Sequence, residues 1–275
     1  MGLNLMKNAL SSLLLIGTLV SAYSAAQPEQ AKQTAPVKKT APLPAVVDDT
    51  PVEALQVGGS VVVLKTAAGL GDPDSAAWRE AQEYRMELGL APPVHPSINL
   101  RYDATTPPAA VFLRAATDGE RLYLRLRWPD ASQNMASNRS EFADGVAVQF
   151  ALGDSATTSF MMGAPAGPVN IWYWKAGQAQ AQNLAAGGFG STTALEPAGL
   201  NASSLYRDSG EWVVVFSRPL DQAGEHQVQL QSVTASIALA LWQGDGKQRD
   251  GLKHVSMGWV SLAATLAATG GVPAS

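Results

Sequence analysis

The sequence predicts an all-β protein, an antiparallel β-sandwich of immunoglobulin-like layers with one or a few short helices. Three observations point there. Apolar and polar residues alternate in short runs, turn residues bound those runs, and only one stretch carries the capping pattern of a helix. A length of 275 residues with 46% hydrophobic content supplies a sizeable core.

Taken in chain order, Lys7 precedes an apolar run from Ala9 to Val20, and small residues follow in "SAYSAAQ". This reads as a Sec-type signal peptide over residues 1–26, cleaved near Ala25 or Ala26. The apolar run is short for a membrane span, so the mature chain is expected to have none, and there is no twin arginine. Residues 27–50 are rich in Pro, Ala, Gln, Lys and Thr, with too few large apolar side chains to bury, and are expected to form a disordered tether. The sandwich domain follows over residues 51–265, and 266–275 form a small, apolar tail.

Within the domain, "VVVLKTA" opens the strands. Ser75–Leu88 reads as a helix with Ser75 as its cap and Gly89 as its stop, before the Pro-rich "APPVHP". Val111–Trp128 is a hairpin: two alternating runs flank Asp118-Gly119, with Leu122, Leu124 and Leu126 on one face and Arg121, Arg125 and Arg127 on the other. "DGVAVQFAL", "VNIWYWKA", "EWVVVFSRPL" and "SIALALWQGD" complete the set, with the spacing of a sandwich.

Several function classes drop out. A net charge of -4 without a basic cluster gives no footprint for nucleic acid or anionic lipid. The absence of cysteine removes disulfides, thiolate zinc sites, iron–sulfur clusters and covalent haem attachment. The three histidines, His95, His226 and His254, have no metal-ligand spacing, and no serine lies in a nucleophile elbow. Acidic pairs such as Asp48 and Asp49 read as surface, and "GGFG" reads as a turn rather than a phosphate loop.

What remains is "FMMGAPAGPVNIWYWKAG", Phe160 to Gly177. Its methionines and aromatics have three readings: packing of a strand, an exposed stacking platform of Trp172 and Trp174 in a secreted carbohydrate- or ligand-binding module, or a soft thioether ligand to haem iron. Composition leaves all three open.

Three segments in fixed order carry a family resemblance: "EFADGVAVQFAL" (Glu141–Leu152), "MMGAPAGPVNIWYWKAG" (Met161–Gly177) and "ALWQGDGKQRDGLKHVSMGWVSL" (Ala240–Leu262). They resemble the haem-b gamma subunits of the ethylbenzene dehydrogenase group, which includes dimethyl sulfide dehydrogenase, chlorate reductase and selenate reductase, periplasmic molybdenum enzymes of three subunits. The resemblance covers most of the chain after the tether. It implies one noncovalent haem b at the edge of the sandwich, its iron held by a methionine and a lysine. Matched motif to motif, these are Met162, which precedes the glycine before "PVNIWYWKA", and Lys253, which follows "W-x-G". Met161 is the alternate if the doubled methionine shifts register. His254 is the alternate to the lysine, although alternation turns it away if Lys253 faces the iron. Met257 stands close enough in sequence to be a further alternate. Asn170, Trp172 and Trp174 of the same motif are expected near the cofactor.

The resemblance further implies a noncatalytic electron-transfer subunit. Its partners would be a molybdopterin-containing alpha subunit, an iron–sulfur beta subunit and an external c-type cytochrome.

Overall fold

A computed structural model describes residues 50–66 and 69–264. The expected signal peptide, nearly all of the tether, and the tail lie outside them. The described residues are nearly all strand: β1 (Val52–Ala54), β2 (Ser60–Lys65), β3 (Glu83–Leu90), β4 (Ala109–Thr117), β5 (Arg121–Pro129), β6 (Gly145–Ala151), β7 (Val169–Lys175), β8 (Gln182–Ala186), β9 (Thr193–Ala194), β10 (Asn201–Arg207), β11 (Glu211–Pro219), β12 (Ala235–Trp242), β13 (His254–Val255) and β14 (Val260–Ala264).

Hydrogen bonding links them in the order β10-β11-β5-β4-β2-β14-β12-β6-β7-β8-β9, with β3 joining β1, β4 and β13 at the side. This path folds over on itself. The inner faces of β4, β5 and β11 meet those of β6, β7 and β12 in one core that holds Leu113, Leu124, Trp128, Phe216, Val148, Trp172 and Leu239. Rings interlock across it, Trp128 with Trp174 at 6.2 Å and Trp172 with Phe216 at 6.5 Å between centroids.

Every strand read from the sequence is present. The Val111–Trp128 hairpin turns where Asp118-Gly119 predicts, with the Asp118 carboxylate accepting the Glu120 and Arg121 amides and Gly119 in the left-handed region. Leu122, Leu124 and Leu126 enter the core. On the opposite face Arg127 and Arg114 converge on the buried Glu83, whose carboxylate accepts from Arg127 Nε at 2.8 Å and Arg114 Nε at 3.2 Å. Burial works against the Glu83 charge, but these guanidiniums hold its carboxyl below the usual carboxylate range.

Two expectations are corrected. The layers are not purely antiparallel, because β2 pairs in parallel with both β4 and β14, and β1 with β3. β2 enters from the N-terminal segment with no hairpin partner, so no tight turn fixes its direction. The helix expected over Ser75–Leu88 is a 3₁₀ turn over Ala76–Glu80, capped by Ser75 as expected, followed by β3. Tyr84, Met86 and Leu88 form a period-two stripe that pairs with Leu113, Val111 and Ala109 of β4, and this partner overrides the local helical propensity. Gly89 is accordingly a strand residue and stops no helix. One further short helix, α1 (Pro96–Asn99), sits in the Pro-rich loop with His95 at its N-cap.

Candidate functional site

The sheet of β12, β6, β7 and β8 has two apolar faces, and only one meets the opposite layer. The other is floored by two cross-strand rows: Ala240, Ala147 and Tyr173, then Ala238, Gln149 and Ile171. Three of the six are alanines, which reach no farther than one methyl from the backbone. Over this floor the chain segments around α1, Phe160–Met162, Phe189 and Lys247–Lys253 close a cavity of about 990 Å³. That is the upper end of the volume range of small-molecule and cofactor pockets, roughly 300–1,000 Å³.

Met162 reaches the cavity from a strained loop. Both Met162 and Gly163 have positive φ, 68° and 70°. The loop is pinned by Gly163 N donating to Ser159 O at 3.0 Å and Gly188 N to Met162 O at 2.9 Å. A Cβ on Gly163 would lie 2.7 Å from Gly167 O, so glycine is required there. For methionine a left-handed backbone costs about 1–2 kcal/mol, and such strain concentrates where a side chain is held for a purpose. The "PAGP" segment behind it is a tight turn, with Ala164 and Gly167 exchanging both backbone hydrogen bonds at 3.0 and 2.9 Å.

Lys253 enters from the other side, immediately before β13. Its Nζ lies 3.6 Å from Met162 Sδ, although the two residues are 91 positions apart, and 4.8 Å from the centre of the Trp242 ring. Trp242 is held by its indole N–H on Asp250 O at 3.1 Å and by the edge of Tyr173 at 5.2 Å. Burial pushes the Lys253 amine down to about 8, with Asp250 opposing the shift, and burial raises the Tyr173 phenol to about 12 with Asp250 adding to it. The amine therefore loses its proton far more readily than a surface lysine.

His254 turns the opposite way, as alternation requires. Its ring is buried between Gln248, at 3.1 Å, and the carbonyl of Pro107, at 3.1 Å, and burial lowers its basicity. It does not line the cavity, and Met257 is half exposed outside it. Met161 does line the cavity, beside Met162.

Asn170, Trp172 and Trp174 stand on the core face of β7 instead of the cavity face. The two indoles are 0% and 3% exposed, and Asn170 is used up by Asn183, Leu184 O and the Val228 amide. The physical reason is the pleat: once Val146, Val148 and the opposite layer claim the even-numbered residues of β7, Ile171 and Tyr173 must face the cavity. The expected wall residues were thus off by one position along the strand. A stacking platform is ruled out on the same ground, since neither indole offers an exposed face. The signal that finds Tyr173 is the same alternation, and the alanines of β6 and β12 mark the hollow.

The donor set suits a large planar metal complex. A thioether and a deprotonatable amine face each other within an apolar enclosure. Their 3.6 Å separation is about 0.7 Å short of the sum of two metal–donor bonds, roughly 2.0 Å to nitrogen and 2.3 Å to sulfur, so the two side chains would have to part slightly to admit a metal between them. Among the described residues no cluster of His, Asp and Glu is placed to hold a metal ion in another way.

Comparison with known proteins addresses the same region. The ethylbenzene dehydrogenase family model matches residues 75–199. The gamma subunit of dimethylsulfide dehydrogenase from Rhodovulum sulfidophilum is 42% identical over 212 residues, covering 73% of this chain and 80% of that one. The chlorate reductase gamma subunit of Ideonella dechloratans is 37% identical, covering 73% and 82%. This chain belongs to the gamma-subunit family of the ethylbenzene dehydrogenase group. A gamma subunit of this family is an accessory chain of an oxidoreductase complex and not its catalytic subunit. A Haloferax mediterranei protein named as a respiratory nitrate reductase heme subunit is 33% identical over 67% of this chain and 65% of its own length. Among solved structures, a family 9 carbohydrate-binding module from Caldicellulosiruptor kristjanssonii, in complex with glucose, overlays with a TM-score of 0.45 at 7% identity, covering 78% of this chain and all of that one. That score supports no inference about ligand. No helix among the described residues of this gamma subunit is long and apolar enough to cross a membrane.

Proposed function

We propose that this gamma subunit holds one noncovalent haem b between Met162 and Lys253 and relays electrons for a periplasmic molybdenum oxidoreductase. The observation that carries the reading is the approach of Lys253 Nζ to Met162 Sδ, 3.6 Å, in an apolar cavity that depresses the amine. Bound haem supplies a one-electron couple; everything else falls to the protein. The Met162 thioether favours the reduced state and raises the potential. Lys253 must offer a lone pair, which for an ordinary lysine at pH 7 costs about 5 kcal/mol. With the amine at about 8 that cost falls to roughly 1.4 kcal/mol, and bond formation covers it. A haem iron held by both Met162 and Lys253 would have no open position for oxygen or substrate, so the chemistry it would supply is electron transfer.

In this reading the electrons pass between a molybdopterin-containing alpha subunit, the clusters of an iron–sulfur beta subunit, this chain, and an external c-type cytochrome. A chain without cysteine leaves the clusters to its partner. Residues 1–26, read as a signal peptide, supply the periplasmic location.

Titration of the purified protein with haemin tests the site. A Soret band with a six-coordinate low-spin spectrum is expected, and Met162→Ala and Lys253→Ala should each convert it to a five-coordinate form. The same titration of Met161→Ala separates the neighbouring methionines, because only loss at Met162 should remove a ligand. Absence of a Soret change, or indifference of both the Met162 and Lys253 variants, rejects the reading.

A further inference from the structure

At one end of the cavity the charge balance is one-sided. Arg101, Lys247 and Arg249 line it there, with Asp250 as the single acid. A second, smaller hollow of about 430 Å³ continues beyond, sharing Arg101, Lys247 and Leu252 with the first and adding Arg139 and Ser140. The buried Phe142 ring anchors this end, with the Arg249 guanidinium 4.9 Å and the Arg101 guanidinium 5.8 Å from its centre. Lys247, in the left-handed conformation, donates to Ser140 O at 3.2 Å.

What sets these cations apart is that they gather around one hollow. Elsewhere Arg127 and Arg207 meet carboxylates directly, at Glu83 and Glu211. Here no ion pair is formed by Arg101, Arg139 or Lys247 among the described residues, and Arg249 has only Asp250 at 3.6 Å, a side chain 87% exposed. In a protein of net charge -4, three exposed cations gathered around a hollow that opens from an apolar cavity favour an anion there. The opposite end of the cavity, at Leu184, Phe189 and Thr192, is uncharged.

We propose that Arg101, Arg139 and Lys247 bind the carboxylates of the cavity's occupant, so that the occupant lies with its two acid groups in the smaller hollow and its apolar edge toward Phe189. The inference rests on the haem reading above, and it assigns the propionate end of that macrocycle and hence its orientation. Guanidinium and ammonium groups at a half-open rim give charge-assisted hydrogen bonds to carboxylate, each weakened by solvent.

The test compares haemin with haemin dimethyl ester, whose propionates carry no charge, in absorbance titrations of the purified protein. The wild-type protein should bind the diacid at least about tenfold more tightly than the ester, the scale of one or two such contacts. Added salt should narrow the gap. The double variant Arg101→Glu, Lys247→Glu should bind the diacid no better than the ester, while its affinity for the ester stays at the wild-type level and so reports an intact fold. Equal binding of diacid and ester by wild type overturns the proposal and leaves the cationic rim to an acidic protein partner. So does a variant that loses both ligands equally. If neither compound produces a Soret change, the haem reading fails and takes this inference with it. A normal six-coordinate spectrum without diacid preference defeats the inference alone.

Discussion

Trp172 and Trp174 leave β7 on one side, Ile171 and Tyr173 on the other, and the two sides meet different surroundings. On the core side every neighbour is protein: Phe150 packs against Trp172 at 4.5 Å with the rings inclined at 52°, and Trp212 meets Trp174 edge-on at 4.9 Å. On the cavity side the same strand faces alanines, then open volume, then the Met162 and Lys253 side chains. The difference shows how one strand serves two ends. Its core face fixes the backbone, and that fixed backbone lets the other face stay underfilled without collapsing. The left-handed Met162 and the desolvated Lys253 are costs carried by the second face and offset by the first.

The largest effect expected from breaking this contrast is Trp172→Ala. It should cost about 3–5 kcal/mol of folding stability in denaturant titrations, by opening a void in the packed layer. Tyr173→Ala, on the same strand, should cost under about 1.5 kcal/mol and instead weaken haem binding. Equal destabilisation by the two would dissolve the distinction between the faces.

Next in size is Lys253→Leu. At pH 7 the buried amine is protonated at a penalty, so the variant should be more stable than wild type in the absence of haem, by up to about 3 kcal/mol. The sign with pH follows. Folding lowers the amine from 10.5 to about 8, so between those values the unfolded chain holds a proton the folded chain lacks. Wild-type stability should rise relative to the variant from pH 8 to 10.5, and the difference should disappear above that window. A gap that is flat with pH would show that the amine is not desolvated. Gly163→Ala should come next, at about 1–3 kcal/mol, because the added methyl meets the Gly167 carbonyl oxygen and φ is positive. The smallest stability change belongs to Met162→Ala, under about 1 kcal/mol by thermal melting. Its side chain is only partly buried, whereas its effect on a haem spectrum should be complete.

Much of the sandwich was legible because its main strands alternate cleanly and end at turns whose chemistry is local, as at Asp118-Gly119. The short strands β1, β8, β9, β13 and β14 were not, since two to five residues carry too little pattern to separate from loop. Glu83–Leu90 was misread because its stripe satisfies strand and helix templates alike until β4 is beside it. In the site, Met162 and Lys253 came through family resemblance, and no spacing rule joins residues 91 apart. For the aromatics, alternation separates Trp172 and Trp174 from Tyr173, but which set faces the other layer depends on strands distant in sequence. The cationic end at Arg101 and Lys247 draws on a loop and a turn with no shared motif, which is why no basic cluster was visible in the linear chain.

The alanine floor has a consequence beyond this molecule. Because Ala147, Ala238 and Ala240 keep the floor of the hollow low, a leucine or phenylalanine at any of them would intrude on it where a flat guest must lie, while leaving the inner core untouched. Such a chain would still fold as a sandwich and still carry Met162 and Lys253. These three small side chains thus act as a vacancy marker, and in any related sequence they tell whether a matching fold has kept room for a guest.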